Sequence, residues 1–273
     1  MVKIIAFDLD GTLYDKHKHI DEDTIHKIID FEQKGIVVGI VTGRFYEELG
    51  EVIEKIKLRE YNGFVASSNG LEIHDFLDGE IRRFSRLSKD EVKEAKKHHL
   101  VSYVWQNGGY TMFGVSILDV VKKIFSLIPL DLHYIKSLQK TKFEKDVVLN
   151  EALYDKVCFV GFQIKKMYLE YRFYDVGKFG TELCKKDVGK LEAIRYICQK
   201  KQVSIFDVMA FGDHGNDVDL LASCGYGVAI KNGSAQAKKA AKYIEYIKID
   251  RDKSTFKSHR DFVSEIEMTF KHF

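Results

Sequence analysis

Asp8 and Asp10 follow a short apolar run and precede Gly11, which permits a sharp turn. In an extended segment residues two apart point the same way. The pair can therefore converge on one substrate or metal, although an ordinary Asp-Gly turn uses the same residues. Thr42-Gly43-Arg44 sets a hydroxyl, a flexible backbone and a guanidinium after a second apolar run. That set suits phosphate contact, and Thr42 equally suits capping of the next helix. A third run ends in Gly212-Asp213-His214-Gly215-Asn216-Asp217. Carboxylate oxygens with little imidazole or thiolate favour Mg²⁺ over zinc, with His214 a bystander. Asp217 is placed either for the site or to cap the helix it starts.

An EF-hand reading of Asp8 onward fails. It needs an oxygen ligand, a glycine and a glutamate where the chain has Thr12, Leu13 and His19. A phosphate ester meets a different difficulty at such a site. Two unit charges about 4 Å apart repel by about 4 kcal/mol at an effective dielectric of 20, and a dianion faces about twice that. Cations are required. Mg²⁺ is one, and Lys190, at the N-terminal end of a helix pattern, is the candidate for the second, although the ordinary place for a lysine is the solvated surface.

Positioning these groups requires buried strands that end together. Val2 to Phe7 is apolar and β-branched, as in a parallel sheet covered on both faces. Asp23 to Lys34 places Ile25, Ile28 and Ile29 on one helical face and stops at Gly35, and a second buried strand, Ile36 to Val41, follows. This is a β-α-β unit with parallel strands. Phe45 to Ile56 marks another helix, leading to a strand at Phe64 to Ser67. Both Asp8 and Thr42 then lie at carboxyl ends of strands, where open α/β sheets bind ligands.

From about Phe84 the texture changes. Ser88-Lys-Asp-Glu91 reads as a capping box, followed by aromatic-rich strand candidates at Leu100 to Val104, Tyr110 to Ile117, Val157 to Ile164 and Leu169 to Tyr174. The α/β texture returns with the helical stripe Leu191, Ile194, Ile197 and Cys198, then strands at Phe206 to Phe211 and Gly227 to Ile230. A terminal helix carries Phe262, Ile266 and Phe270. The economical fold is an α/β, Rossmann-like doubly wound parallel-sheet core, residues 1–83 and 184–273, with an inserted α+β module at 84–183.

Composition bounds the setting. At roughly 150 residues per domain the length corresponds to about 1.8 domains. Hydrophobic residues make up 45% and charged residues 31%, the balance of a chain able to bury a core. A single proline, Pro129, excludes Pro-rich linkers. With 43 Lys+Arg against 41 Asp+Glu, the net charge of +2 does not suggest a nucleic-acid or anionic-membrane partner. The four cysteines lack metal-ligand spacing, so reduced buried thiols are expected. The four-residue apolar run before Asp8 is short of a secretory signal, and no stretch has membrane-span length. A cytoplasmic location follows as an expectation.

Taken in order, Asp8-Leu-Asp-Gly-Thr-Leu13, Val41-Thr-Gly-Arg44, Lys190-Leu-Glu-Ala-Ile194 and Phe211-Gly-Asp-His-Gly-Asn-Asp217 resemble the four motifs of the haloacid dehalogenase (HAD) superfamily. Ser68-Asn-Gly70 and Gly225-Tyr-Gly-Val-Ala-Ile-Lys-Asn232 are similar to its Cof-type branch, subfamily IIB. Residues 84–183 match the inserted cap of such proteins in size and texture. The chain departs from the usual pattern at Leu191, where glycine is usual, and at Gly233, where alanine is common.

The resemblance implies a Mg²⁺-dependent phosphatase of small phosphomonoesters that acts through an aspartyl-phosphate. Asp8 would be the nucleophile and Asp10 the acid and base. Asp8, the Asp10 backbone carbonyl and Asp213 would hold the metal, with Asp217 supporting them. Thr42, Gly43, Lys190 and Asn216 would face the phosphoryl group, and Arg44 and Asn69 the phosphate or substrate. Ion-pumping relatives have threonine at the position of Asp10 and need membrane spans, and a response-regulator receiver is much shorter. A phosphoryl-transferring mutase and a non-catalytic metabolite-binding regulator are the alternatives. The expected assembly is a monomer or weak homodimer. Cap aromatics (Tyr103, Trp105, Tyr110, Phe113, Tyr171, Phe173) either line a pocket or fill a core, and Arg82, Arg83 and Arg86 either bind an anion or are a solvated linker.

Overall fold

The computed structural model describes residues 2–15, 17–96, 102–106, 109–113, 142–144, 153–160, 171–176, 180–231 and 233–245. Contacts divide the chain into two compact units, Met1–Phe84 with Gly189–Phe273, and Ser85–Val188.

The first unit is built on an eight-stranded sheet. Its strands are β1 (Ile4–Phe7), β2 (Val37–Val41), β3 (Phe64–Ser67), β4 (Glu72–Asp75) and β5 (Ile81–Arg83), then β14 (Val208–Gly212), β15 (Tyr226–Ile230) and β16 (Tyr243–Glu245). The order is β16-β15-β14-β1-β2-β3-β4-β5, parallel from β16 to β3 and antiparallel from β3 to β5. Successive strands run outward from β1 in one direction, and β14 returns to its other side. This reversal makes the end of β1 the switch point of a doubly wound sheet.

Alternation divides each strand between two apolar layers. Ile5 and Phe7, Met209 and Phe211, and Val228 and Ile230 face α1 (Glu22–Gln33) and α2 (Gly50–Lys55). Ile4 and Ala6, Val208 and Ala210, and Ala229 face α4 (Lys190–Lys201), α5 (Val218–Ser223) and α6 (Ala235–Ala240). Being covered on both sides, these strands read as continuous apolar runs. Each fully buried Ile or Phe stabilises by roughly 1.5–3 kcal/mol. The helix expected over Phe45 to Ile56 divides into a 3₁₀ turn, Tyr46–Glu48, and the short α2.

Helix α1 shows local rules at both ends. Asp21 accepts a hydrogen bond from the Thr24 amide at 3.1 Å, satisfying one free N–H of the first turn. At the other end Gly35 N donates to Glu32 O and Ile36 N to Phe31 O, closing the last turn in a Schellman arrangement and turning the chain into β2.

In the second unit, β6 (Leu87–Ser88) and β10 (Leu153–Tyr154) form a small antiparallel pair. A six-stranded sheet joins β7 (Ser102–Gln106), β8 (Gly109–Phe113), β9 (Lys142–Glu144), β11 (Lys156–Val160), β12 (Tyr171–Val176) and β13 (Gly180–Lys185) in the order β12-β13-β11-β7-β8-β9. The expected capping box opens α3 (Lys89–Lys96). Ser88 N donates to Glu91 Oε2 at 2.8 Å, and Glu91 N donates to Ser88 Oγ at 3.3 Å. Val92 and Ala95 of α3 pack with Leu87, Tyr154, Val157 and Leu183, with Tyr171 and Phe173 at the edge of that cluster. Those two aromatics are therefore packing residues. Residues 114–117, 161–164, 169–170 and 232, and the Phe262, Ile266 and Phe270 helix, lie outside the described residues.

Some expectations shift. The strand expected from Phe206 begins at Val208, because Ile205–Asp207 forms a 3₁₀ turn that leaves Phe206 exposed. Arg82 and Arg83 belong to β5, and Arg83 pairs with Glu72, while Arg86 pairs with Asp155 at 2.7 Å. Cys184, Cys198 and Cys224 are free and buried, and burial pushes each thiol above its ordinary range.

Glu32, on the inner side of α1, is buried with neither carboxylate oxygen hydrogen-bonded. Burial, reinforced by Glu60 and opposed by Lys57, pushes its carboxyl up to about 8. A raised carboxyl pKa favours the folded state only while the group is protonated. Its stabilising contribution is present below the unfolded value of about 4.3 and is lost as pH rises toward 8. Glu32→Gln should therefore raise Tm, by an increment that grows between pH 5 and pH 8 in thermal denaturation.

Candidate active site

The carboxyl ends of β1, β2 and β14 meet at the switch point. Asp8 follows β1 directly, and its amide donates to Phe211 O of β14 at 3.0 Å, locking the two strand ends together. Gly11 then turns at φ 84°, and a Cβ there would lie 2.4 Å from Asp213 Oδ2, so this turn requires glycine. Thr12 Oγ1 reaches Asp213 Oδ1 at 3.4 Å.

Lys190 is the first residue of α4, with Gly189 as its N-cap. Its Nζ donates to Asp8 Oδ1 and to Asp217 Oδ1, each at 2.6 Å, and its side chain is fully enclosed. Asp217 is fully engaged. Its Oδ2 accepts from the amides of Asp213 and His214, each at 3.0 Å, so one carboxylate fixes both the lysine and the loop after β14. Asp213 Oδ2 lies 2.5 Å from His214 Nδ1, and this hydrogen bond raises the imidazole pKa against the effect of burial.

Asp8, Asp213 and Asp217 each offer an oxygen within 4.8 Å of the others. Three buried carboxylates set against one ammonium leave the cluster short of positive charge. Burial raises the Asp8 pKa, and although Lys190 lowers it, Asp217 and Asp213 raise it further. Lys190 keeps its proton: burial opposes the charge, but Asp217 and Asp8 outweigh that and raise its pKa. Hard oxygen donors that outnumber the one ammonium match a divalent oxygen-seeking cation.

The remaining expected residues surround this cluster unequally. Thr42 is buried after β2, and its Oγ1 accepts from the Arg44 amide at 3.2 Å, a local turn rather than a helix cap. Arg44 grips Asp10. Its Nε and Nη2 each lie 2.5 Å from an Asp10 oxygen, and its guanidinium sits 5.4 Å from the Tyr14 ring centroid. Asp10 is the exposed member of its pair, because the backbone turns after β1 rather than continuing extended. Asn69 is buried and accepts from Asn216 Nδ2 at 2.9 Å. Neither the Arg44–Asp10 nor the Asn69–Asn216 pairing is signalled by spacing in the sequence.

A family model for haloacid dehalogenase-like hydrolases matches residues 5–248. The chain belongs to this family. Among its relatives, the Bacillus subtilis (strain 168) protein named 5-amino-6-(5-phospho-D-ribitylamino)uracil phosphatase YcsE is 28% identical over 246 residues, covering 89% of each chain. A haloacid dehalogenase-like hydrolase from Bacteroides thetaiotaomicron has a TM-score of 0.68 at 22% identity, over 89% of this chain and 94% of that one. The structure described as the HAD subclass IIB sugar phosphatase BT4131 has a TM-score of 0.71 at 20% identity, over 98% and 99%. These two structures share the fold of this HAD-like hydrolase. Among its described residues no helix is long and apolar enough to cross a membrane.

Removing the lysine from this hydrolase should be costly. Lys190→Met leaves Asp8 and Asp217 buried without their common cation, a loss of about 3–5 kcal/mol. Urea denaturation in EDTA measures it.

Proposed function

We propose that this hydrolase is a Mg²⁺-dependent phosphatase that cleaves small phosphomonoesters through a phosphorylated Asp8. The observation that carries the reading is Asp8 itself, a buried carboxylate at the sheet's switch point, 2.6 Å from a buried lysine and grouped with two further aspartates. The donor set fits Mg²⁺. Asp8 and Asp213, with the Asp10 carbonyl, would hold it, and Asp217 would support them by keeping Lys190 and the Asp213 amide in place. When bound, the ion supplies neutralisation of charge on the phosphoryl oxygens.

The chain's own groups account for the two displacements. Asp8 attacks phosphorus, the bond from phosphorus to the leaving oxygen breaks, and that oxygen takes a proton from Asp10. Asp10 then takes a proton from the water that attacks the phosphorylated Asp8, releasing phosphate and the free carboxylate. Arg44 occupies both Asp10 oxygens, so proton transfer in the first step requires Asp10 to part from Arg44. Lys190, Thr42, the Gly43 amide and Asn216 would face the transferring group. The named substrate of YcsE is a phosphorylated small molecule and BT4131 is named a sugar phosphatase, which supports a small phosphorylated metabolite as substrate. The inserted unit, as a cap, would select among leaving groups. A cytoplasmic setting accords with its free cysteines.

Release of phosphate from p-nitrophenyl phosphate tests the reading. Wild type should require Mg²⁺ and lose activity in EDTA, and Asp8→Asn should fall to the blank. Retained activity in that variant would remove Asp8 as the nucleophile. Phosphate appearing on an added sugar rather than in solution would indicate transfer instead of hydrolysis.

A further inference from the structure

Ser68, Asn69 and Gly70 have φ angles of 51°, 58° and 88°, three successive residues in the left-handed region. A Cβ is crowded there, and only the last is glycine. Such a turn persists where its surroundings over-determine it, and positions of this kind cluster at functional sites. Contacts from each of the three residues lead to the active site. Ser68 N donates to Arg44 O at 2.7 Å, and Asn69 N donates to Thr42 O at 2.8 Å. A Cβ on Gly70 would come within 2.4 Å of the carbonyl oxygen of Gly189, the residue before Lys190.

The Asn69 side chain makes the third connection. Its Oδ1 takes a hydrogen bond from Asn216 Nδ2 at 2.9 Å, tying the loop after β3 to the loop after β14. The same oxygen lies 3.2 Å from where a Cβ on residue 43 would stand, so glycine at 43 leaves the room the amide occupies. One buried side chain thus touches the neighbourhood of both loops proposed to face the phosphoryl group, while its own carbonyl oxygen is engaged by protein.

We infer that Asn69 is a positioning residue. Its side chain orients the Asn216 amide while its main-chain amide holds Thr42, so that groups from three strand ends keep one arrangement around Asp8. It acts through Asn216 rather than on the substrate. The kinetic consequence rests on the phosphatase reading, whereas the orientation of Asn216 does not.

Two substitutions separate this role from a structural one. Asn69→Gly removes the amide and relieves the left-handed backbone, while Asn69→Ala removes the amide and keeps a Cβ. Asn69→Gly should have the higher Tm of the two, yet both should lose about tenfold in kcat with little change in KM for p-nitrophenyl phosphate. Asn216→Ala should show a similar loss, and Asn69→Gly/Asn216→Ala no more than either alone. Wild-type kcat in Asn69→Gly, a rise in KM alone, or multiplying losses in the double variant would overturn the inference. If the wild type releases no phosphate, the phosphatase reading fails and NMR still decides the orientation. The Asn216 side-chain amide signal, assigned by its loss in Asn216→Ala, should move in Asn69→Gly, and an unmoved signal would overturn the inference.

Discussion

A single ammonium enclosed between two carboxylates organises this hydrolase. Lys190 stands at the first position of α4, where the helix dipole is unfavourable to a cation, and it has no exposure to offset that with hydration. Asp8 and Asp217 compensate for both. Because Asp8 ends β1, Asp217 precedes α5 and Lys190 begins α4, the ion cluster stands only if three distant parts of the chain arrive together. Removing one partner leaves buried charge behind, so assembly of the site and stability of the core are coupled.

The sheet makes that convergence possible. Bulky pairs such as Phe7 and Phe211, stacked with ring centroids 5.0 Å apart, fill the layer beneath α1 and α2. Ala6, Ala66 and Ala210 lie in the opposite layer, with α4. Small side chains there permit close approach of α4, and with it the lysine. Asp217 extends the arrangement by fixing the Asp213 and His214 amides, and the left-handed turn at Ser68 to Gly70 ties in the end of β2. The cluster still carries more negative than positive charge, which is why a divalent cation belongs to the proposed chemistry.

Much of this is legible in the sequence where a residue type has only one physical outlet. Strands buried on both faces appear as continuous apolar runs, as at Val37–Val41 and Val208–Gly212, and carboxylates at their ends stand out against that background. The capping box at Ser88 and Glu91 is equally local. Strand β5 left no pattern, because all three of its residues are exposed and nothing enforces alternation. Phe206 misleads for the opposite reason, an apolar residue placed in a surface turn. Long-range pairings are the hardest to read. The Arg44 grip on Asp10 and the Asn69 bond to Asn216 depend on loop geometry that no spacing rule encodes. The two engaged oxygens of Asp217 likewise emerge only from the fold, where the choice between cap and site falls to the site: Oδ1 takes Lys190, Oδ2 takes the Asp213 and His214 amides, and neither caps α5.

The central claim is that this cluster makes Asp8 a nucleophile toward phosphorus. Acid quenching during turnover of p-nitrophenyl phosphate with Mg²⁺, followed by mass spectrometry of the peptide containing Asp8, tests it most directly. The account predicts a phosphoryl group on the Asp8 carboxylate that builds up within the first turnover and disappears as substrate is exhausted. Turnover with phosphate released and no phosphoryl group on Asp8 at any quench time, or with the group on another residue, would contradict it.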